Sequence, residues 1–321
     1  MMRKCFLLFF VGTIFLISLD GTALGFWVWS PKSSKFTNPK KIAKQTPKAQ
    51  LAWALSFYEE KEYPRALQEM EILVRTYPRS AEAAEAQFYA GRSYEALEDY
   101  EKAYKAYHTV LKKYPNSARI QEVIEEEYRI ANLFYSGKKR KIAGLEILPS
   151  YEKAIEIFRE VVENAPYGSY AELSQYKIGE CYKKVGDYQK AREAFEKLIE
   201  DYPKGELVDN AKYQIALVTF KMSRAASYDE EATDKAINEF TKFVQEHPES
   251  ELVQESQEAV RELKGRKAEK AFEIAEFYAK QEQLAAAKVY YNEVIERYAD
   301  SSWASRALEK LTVLEKKEKK K

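Results

Sequence analysis

"DYEKAYKAYHTVLKKYPNS", residues 99–117, decides the fold. Ala103, Tyr107 and Val110 stand at offsets 0, 4 and 7, the spacing of one face of an α-helix. Asp99 lies where a side-chain oxygen receives the first free N–H groups of a helix. Pro115 ends the run, because it has no N–H to donate and its ring clashes with the preceding turn. The stretch therefore predicts an amphipathic helix with a small residue, an aromatic and an aliphatic in line.

The same ruler recurs along the chain. Ala66, Ala103, Ala154, Ala191, Ala236 and Ala287 each stand twelve residues before a terminator: Pro78, Pro115, Pro166, Pro203, Pro248 and finally Ala299. Four residues after each alanine comes Met70, Tyr107, Phe158, Phe195, Phe240 or Tyr291, and three later Leu73, Val110, Val161, Leu198, Phe243 or Val294. Ser150 and Asp187 repeat the cap of Asp99. Two residues past each terminator stands Ser80, Ser117, Gly168, Gly205, Ser250 or Ser301, read as a cap for the next helix. A partner helix precedes the ruler. Gly91, Gly179, Ala54 and Ala275 fall twelve residues before its alanine, with Tyr94, Tyr182, Phe57 and Tyr278 three residues on. Small residues there let two helices of a hairpin approach closely, so enlarging Ala103 or Gly179 should overpack the seam.

This pattern resembles the tetratricopeptide repeat over residues 48 to 299. It implies an all-α solenoid of about six helical hairpins with a C-terminal capping helix. The repeats fall near 48–79, 80–116, 117–167, 168–204, 205–249 and 250–300, followed by a cap over 301–316 and a basic tail over 317–321. Terminators are spaced by 37, 51, 37, 45 and 51 residues, against about 34 for the standard unit. The excess sits in insertions at 136–150 and 223–234.

Residues 1–25 read as a cleavable signal peptide, with Arg3 and Lys4 ahead of an apolar run and Ala23-Leu24-Gly25 as the cleavage site. Export would leave Cys181 as the one cysteine, so stability must come from packing rather than a disulfide. Residues 26–47 read as an aromatic and basic extended leash. Phe26, Trp27 and Trp29 suit an interfacial or partner-docking anchor, a peripheral membrane contact; the other reading folds them back over Trp53 of the first repeat.

Catalytic chemistry finds little material. His108 and His247 lie in different repeats, and no metal cluster, phosphate loop or nucleophile elbow can be assembled, so no cofactor, metal or enzyme activity is expected. With 52 basic and 51 acidic residues, no nucleic-acid partner is expected either. Cys181 is expected to be buried and inert. "GKKRK", residues 137–141, reads as a solvated loop, with contact to anionic headgroups as the other reading. What remains is surface for binding. Stacked hairpins make an extended face from the first helix of each pair, and helical spacing places Tyr58, Phe88, Arg92, Glu95, Tyr176, Lys183, Phe272 and Glu276 on it.

The C-terminal half narrows the choice. An interrupted fifth hairpin, the run from Phe240 to Ser250, a long connecting helix and "AEFYAKQEQLAAA" follow in the order that resembles the BamD family of β-barrel assembly lipoproteins. That resemblance implies a periplasmic, non-enzymatic scaffold associated with the outer membrane. It would receive unfolded outer membrane protein clients on its first repeats and dock a BamA-like β-barrel protein, through that partner's periplasmic domains, on its last. Carried over, Phe88, Arg92 and Glu95 belong to the receiving groove, and Phe272, Glu276, Lys280, Gln281 and Gln283 to the docking surface. Two departures stand out: Gln281 occupies a turn position where the family often has Arg, and Cys5 precedes the apolar run, so there is no lipobox cysteine. The alternative is a periplasmic scaffold that resembles the Tol–Pal and cell-division-associated repeat proteins, or another envelope adaptor.

Overall fold

The computed structural model describes residues 28–30, 35–37, 43–137, 139–142, 145–225 and 230–318. The signal peptide, Phe26 and Trp27 lie outside the described residues. Six helical hairpins follow one another: α1 (Pro47–Glu59) with α2 (Tyr63–Thr76), α3 (Ala81–Ala96) with α4 (Tyr100–Lys113), and α5 (Ile120–Tyr135) with α6 (Tyr151–Asn164). Then come α7 (Ala171–Val185) with α8 (Tyr188–Asp201), α9 (Val208–Ala225) with α10 (Glu230–Glu246), and α11 (Val253–Lys280) with α12 (Leu284–Arg297). Helix α13 (Ser302–Glu318) closes the series against α11 and α12. The fold is all-α in its frame, as the ruler predicts.

Two small additions interrupt it. Within the expected leash, β1 (Val28–Ser30) pairs antiparallel with β2 (Lys35–Thr37), Trp29 opposite Phe36, so part of that stretch is a hairpin rather than an extended leash. The insertion between α5 and α6 is a second antiparallel hairpin, β3 (Lys139–Ile142) with β4 (Leu145–Pro149). The insertion in repeat five goes largely into longer helices, since α9 runs to Ala225 and α10 starts at Glu230.

The ruler residues form the core. All six alanines are fully buried, and Met70, Tyr107, Phe158, Phe195, Phe240 and Tyr291 are at most 1 % exposed. The close approach at the paired glycines is literal. A Cβ on Gly91 would lie 2.4 Å from the ring of Tyr107, and one on Gly179 would lie 2.6 Å from that of Phe195.

Helix ends follow from local chemistry. Asp99, Ser150 and Asp187 accept the backbone N–H of Lys102, Lys153 and Lys190 at 3.2 Å, and Ser80 accepts that of Ala83 at 3.1 Å. The other predicted caps differ. Ser117 and Ser250 accept N–H groups of Arg119 and Leu252, one short turn before α5 and α11 begin, and the Ser301 hydroxyl donates back to Tyr298. Gly205 caps nothing itself but makes room for Glu172 of the preceding repeat, whose carboxylate accepts the Leu207 N–H at 2.6 Å. Before the terminators Pro78, Pro115 and Pro203 the chain leaves the helical region: Tyr77, Tyr114 and Tyr202 take φ near −128° and ψ near 55°, away from the helical angles that a following proline disfavours. Tyr298 takes φ −130° and ψ 41° without a proline, so packing holds the same exit there.

Candidate functional site

The first helices of successive hairpins touch one another through charged and polar side chains and through aromatics that edge the core. Between α1 and α3, Tyr58 meets Tyr89 edge-on with ring centroids 5.2 Å apart. Between α3 and α5 runs a network of ion pairs. Arg119 pairs with Glu85 at 3.1 Å and Glu122 at 2.6 Å, Arg92 with Glu122 at 3.1 Å and Glu126 at 2.9 Å, and Arg129 with Glu95 and Glu126. The Arg119 guanidinium also lies over the rings of Phe88 and Tyr89. Between α5 and α7 the Tyr135 hydroxyl donates to Glu180 at 3.2 Å, and Tyr128 stacks on Tyr170 at 4.7 Å. Between α7 and α9, Lys183 donates to Gln214 at 2.6 Å, and Gln214 donates to the Tyr176 hydroxyl at 3.3 Å.

Charge placement tunes these groups. Burial would raise the Glu122 carboxyl, yet hydrogen bonds from Arg119 and Arg92 hold it below the usual range. Glu95 moves the other way. Burial pushes it up, although Arg129 and the nearby Tyr107 hydroxyl oppose the shift. The Tyr176 phenol is pushed up to about 12, first by burial and then by the Glu180 charge. This face therefore offers aromatic edges and pre-oriented charges of both signs, which suits an extended polypeptide with mixed side chains.

The predicted residues divide. Tyr58, Arg92, Glu95, Tyr176 and Lys183 are half-buried on this face, with the charged ones tied to neighbouring helices. Phe88 is a correction: it is buried beneath Tyr89 and Tyr107, because its position on α3 turns toward α4. Phe272 and Glu276 are corrected too. The cap helix α13 takes their face, with Phe272 between Tyr291 and Trp303 at 5.5 and 5.2 Å, and Glu276 bound by the Tyr291 hydroxyl and by Lys310. Lys280 ends α11, and Gln281 and Gln283 lie in the turn to α12, all three exposed, where Glu282 takes a left-handed φ of 58°. Phe277 and Val289 stand exposed on the flanking helices. Trp29 is described only as a strand residue. Lys44 lies over Trp53, its ammonium 4.2 Å from the ring, and Phe57 meets that ring edge-on at 4.8 Å.

Sequence reasoning missed Tyr89, Arg119, Glu122, Arg129 and Gln214. A signal existed: Glu85 with Arg119, and Glu95 with Arg129, are each 34 residues apart, the length of the standard repeat unit. Elsewhere, Cys181 is fully buried and burial pushes its thiol up to about 12. His247 tilts against Phe243 and meets Asp209 at 3.0 Å, a packing role at the turn. Among the described residues no group of three His, Cys, Asp or Glu side chains is placed to hold a metal ion, and no helix is long and apolar enough to cross a membrane.

Comparison with known proteins follows the division of the chain. A tetratricopeptide-repeat family matches residues 48–80 and 85–117. No curated protein matches the chain. Similar solved structures include a thermophilic TPR protein of Thermus thermophilus, at 17 % identity and a TM-score of 0.31, covering 67 % of this chain and 99 % of that one. The C-terminal part of a TPR repeat-containing protein from Cytophaga hutchinsonii has 14 % identity and a TM-score of 0.37, covering 82 % and 88 %. A tetratricopeptide repeat protein from Parabacteroides merdae has 14 % identity and a TM-score of 0.34, covering 84 % and 99 %. The YfiO family, outer membrane lipoprotein, matches residues 148–319, more than half of the chain, and the protein belongs to that family.

Proposed function

We propose that the protein is a periplasmic scaffold of the machinery that assembles β-barrel proteins in the outer membrane, working by binding polypeptides rather than by catalysis. The family match over residues 148–319 carries this reading. Two surfaces support a division of labour. The face shared by α1, α3, α5 and α7, with Tyr58, Arg92, Glu95, Tyr176 and Lys183, would receive unfolded outer membrane clients. The turn of Lys280, Gln281 and Gln283, flanked by the exposed Phe277 and Val289, would dock the periplasmic domains of a BamA-like barrel protein. An N-terminal anchor built on Phe26, Trp27 and Trp29 would hold the exported chain at the membrane.

Affinity purification of the tagged chain from native envelopes, followed by mass spectrometry, tests the reading. Recovery of a large barrel protein with periplasmic repeat domains is expected, and Lys280→Glu with Gln281→Glu should reduce it by roughly tenfold or more, the loss of a single good interfacial contact. Tyr58→Ala with Arg92→Ala should instead reduce cross-linking to unfolded client peptides. Recovery of Tol–Pal proteins without a barrel partner would reject the proposal.

A further inference from the structure

Gln50 and Gln175 hold one position of the repeat. Each is buried four residues before the small residue of its first helix, Ala54 or Gly179, and donates its side-chain amide to a carbonyl of the second helix, Glu69 at 3.1 Å or Ala194 at 2.8 Å. Those carbonyls lie three residues after Ala66 and Ala191, and Gln87 stands at the same place in the second hairpin. In the third hairpin the position falls to Glu127, four before Ala131, and the carbonyl to Ile157, three after Ala154. An ionised carboxylate has no proton to donate there. Glu127 is fully buried, and neither of its oxygens has a hydrogen bond. Across the junction with the second hairpin, His108 Nδ1 of α4 lies 3.4 Å from Glu127 and 3.9 Å from Glu160 of α6. Among the described residues the other charged and titratable groups of this cluster are engaged with one another: Lys112 with Glu160 at 3.3 Å, and Lys153 with Glu156 at 2.6 Å and with the Tyr104 ring at 4.5 Å. Burial pushes the Glu127 carboxyl up, and Glu127 raises His108.

We propose that Glu127 is a proton-operated latch at the junction of the second and third hairpins: with its proton it donates to the Ile157 carbonyl and ties α5 to α6, and without it the carboxylate turns to the His108 imidazolium and ties α5 to α4. The neutral state copies what Gln50 and Gln175 do in their own hairpins. Loss of the proton to solvent gives up that bond, because a carboxylate only accepts, and leaves a buried charge that needs its partner across the junction. On its other side α5 carries Glu122, Glu126 and Arg129, paired with Arg92 and Glu95 of α3, so the latch sets how the α3–α5 face is held. It is a property of the junction and does not depend on what that face binds.

Two measurements on the full chain test this. Infrared difference spectra against Glu127→Gln, the residue the fold itself uses at this position, should show one protonated-carboxyl band that bleaches as pH rises. His108→Gln removes the cation that opposes burial, so the band should persist to a pH about 1–3 units higher. For the junction, Lys113→Cys on α4 and Glu163→Cys on α6, both exposed, carry spin labels in a Cys5→Ser background, Cys181 being fully buried. The distance between the labels should change as the band bleaches between pH 4 and 9, and in Glu127→Gln it should hold its low-pH value throughout. A missing band, a bleach that His108→Gln does not move, or a distance that stays fixed while the band bleaches overturns the proposal. So does a distance change that survives in Glu127→Gln, which would place the titrating group elsewhere.

Discussion

The two ends of the repeat array share a frame but differ in the chemistry laid over it. Between α3 and α5 the first helices meet through arginine–glutamate pairs, Arg119 with Glu85, Arg92 with Glu122 and Glu126, and Arg129 with Glu95. Between α11 and α13 the contact is Phe272 on Trp303, over Tyr291 of α12, with one ion pair from Lys310 to Glu276 at the edge. Beneath both lies the same core. Tyr107 and Tyr291 fill equivalent ruler positions, and both are buried. The ruler thus specifies the solenoid, and the residues between its marks are free to specify what each end touches.

If the frame is common, breaking it should cost the same in different hairpins. Phe158→Ala in the third hairpin and Phe240→Ala in the fifth both empty fully buried ring sites, and each should lower stability by about 3–5 kcal/mol. Urea unfolding of the two variants checks this. A much smaller loss for one would show that its repeat is loosely packed and that the frame is not shared.

Glycines sharpen the comparison at a smaller scale. Gly91→Ala drives a methyl into the Tyr107 ring and should cost about 1–3 kcal/mol. Gly265, inside the long helix α11, has nothing within 4 Å of an added Cβ. Gly265→Ala should therefore stabilise by up to about 1 kcal/mol, since alanine is the better helix former. Thermal melts of the pair should move in opposite directions.

The two ends should also answer pH with opposite signs. Near the first, Glu127 is fully buried with neither oxygen hydrogen-bonded, 3.4 Å from His108 Nδ1, with Glu160 and Lys112 beyond. Burial pushes the Glu127 carboxyl up against the opposing pull of His108, and the Glu127 carboxylate raises His108. Both raised groups contribute stability that is present below their unfolded values, about 4.3 and 6.5, and lost as pH rises through the folded ones. At the other end burial would raise Glu276, but Tyr291 and Lys310 hold it low. Its contribution is present above about 4.3 and lost as pH falls through the folded value. Glu127→Gln should flatten the loss on the alkaline side and leave the acid limb. Lys310→Gln should leave the alkaline side unchanged and lower the melting temperature above the acid limb, where Glu276 is charged. Melting temperatures recorded from pH 4 to 9 separate the two.

Most of the frame was legible because its signal is short-range and repeated: alanine, aromatic and aliphatic at fixed offsets, with a cap before and a proline after. Repeats three and five hid their first helices, because insertions displaced the small residue from its place twelve before the ruler. In the structure Ala131 with Phe134, three residues on, fills that role in α5. The face of the first helices was only half legible. Helical spacing places Arg92 and Glu95 on it, but spacing within one helix cannot say that Phe88 turns toward Tyr107, nor that α13 covers Phe272. Those facts depend on partners elsewhere in the chain. The cross-repeat pairs were visible only as a charge pattern at the repeat period, which a search within single helices does not sample.

The smallest effect separates pairs that hold the array together from pairs that merely decorate it. Arg129→Gln removes the partner of Glu95, whose other oxygen is buried without a hydrogen bond. The Arg129 side chain is 44 % exposed, so solvent screens much of the attraction, and the expected loss is about 1 kcal/mol or less. The carboxylate left behind is more buried than its lost partner, which puts the cost on desolvation rather than on the pair itself. A double-mutant cycle on Glu95 and Arg129, run at low and high salt, resolves the two contributions. Coupling that shrinks with salt marks a surface pair; coupling that persists would mean that the α3–α5 face is held as firmly by charge as the α11–α13 face is by its aromatic rings.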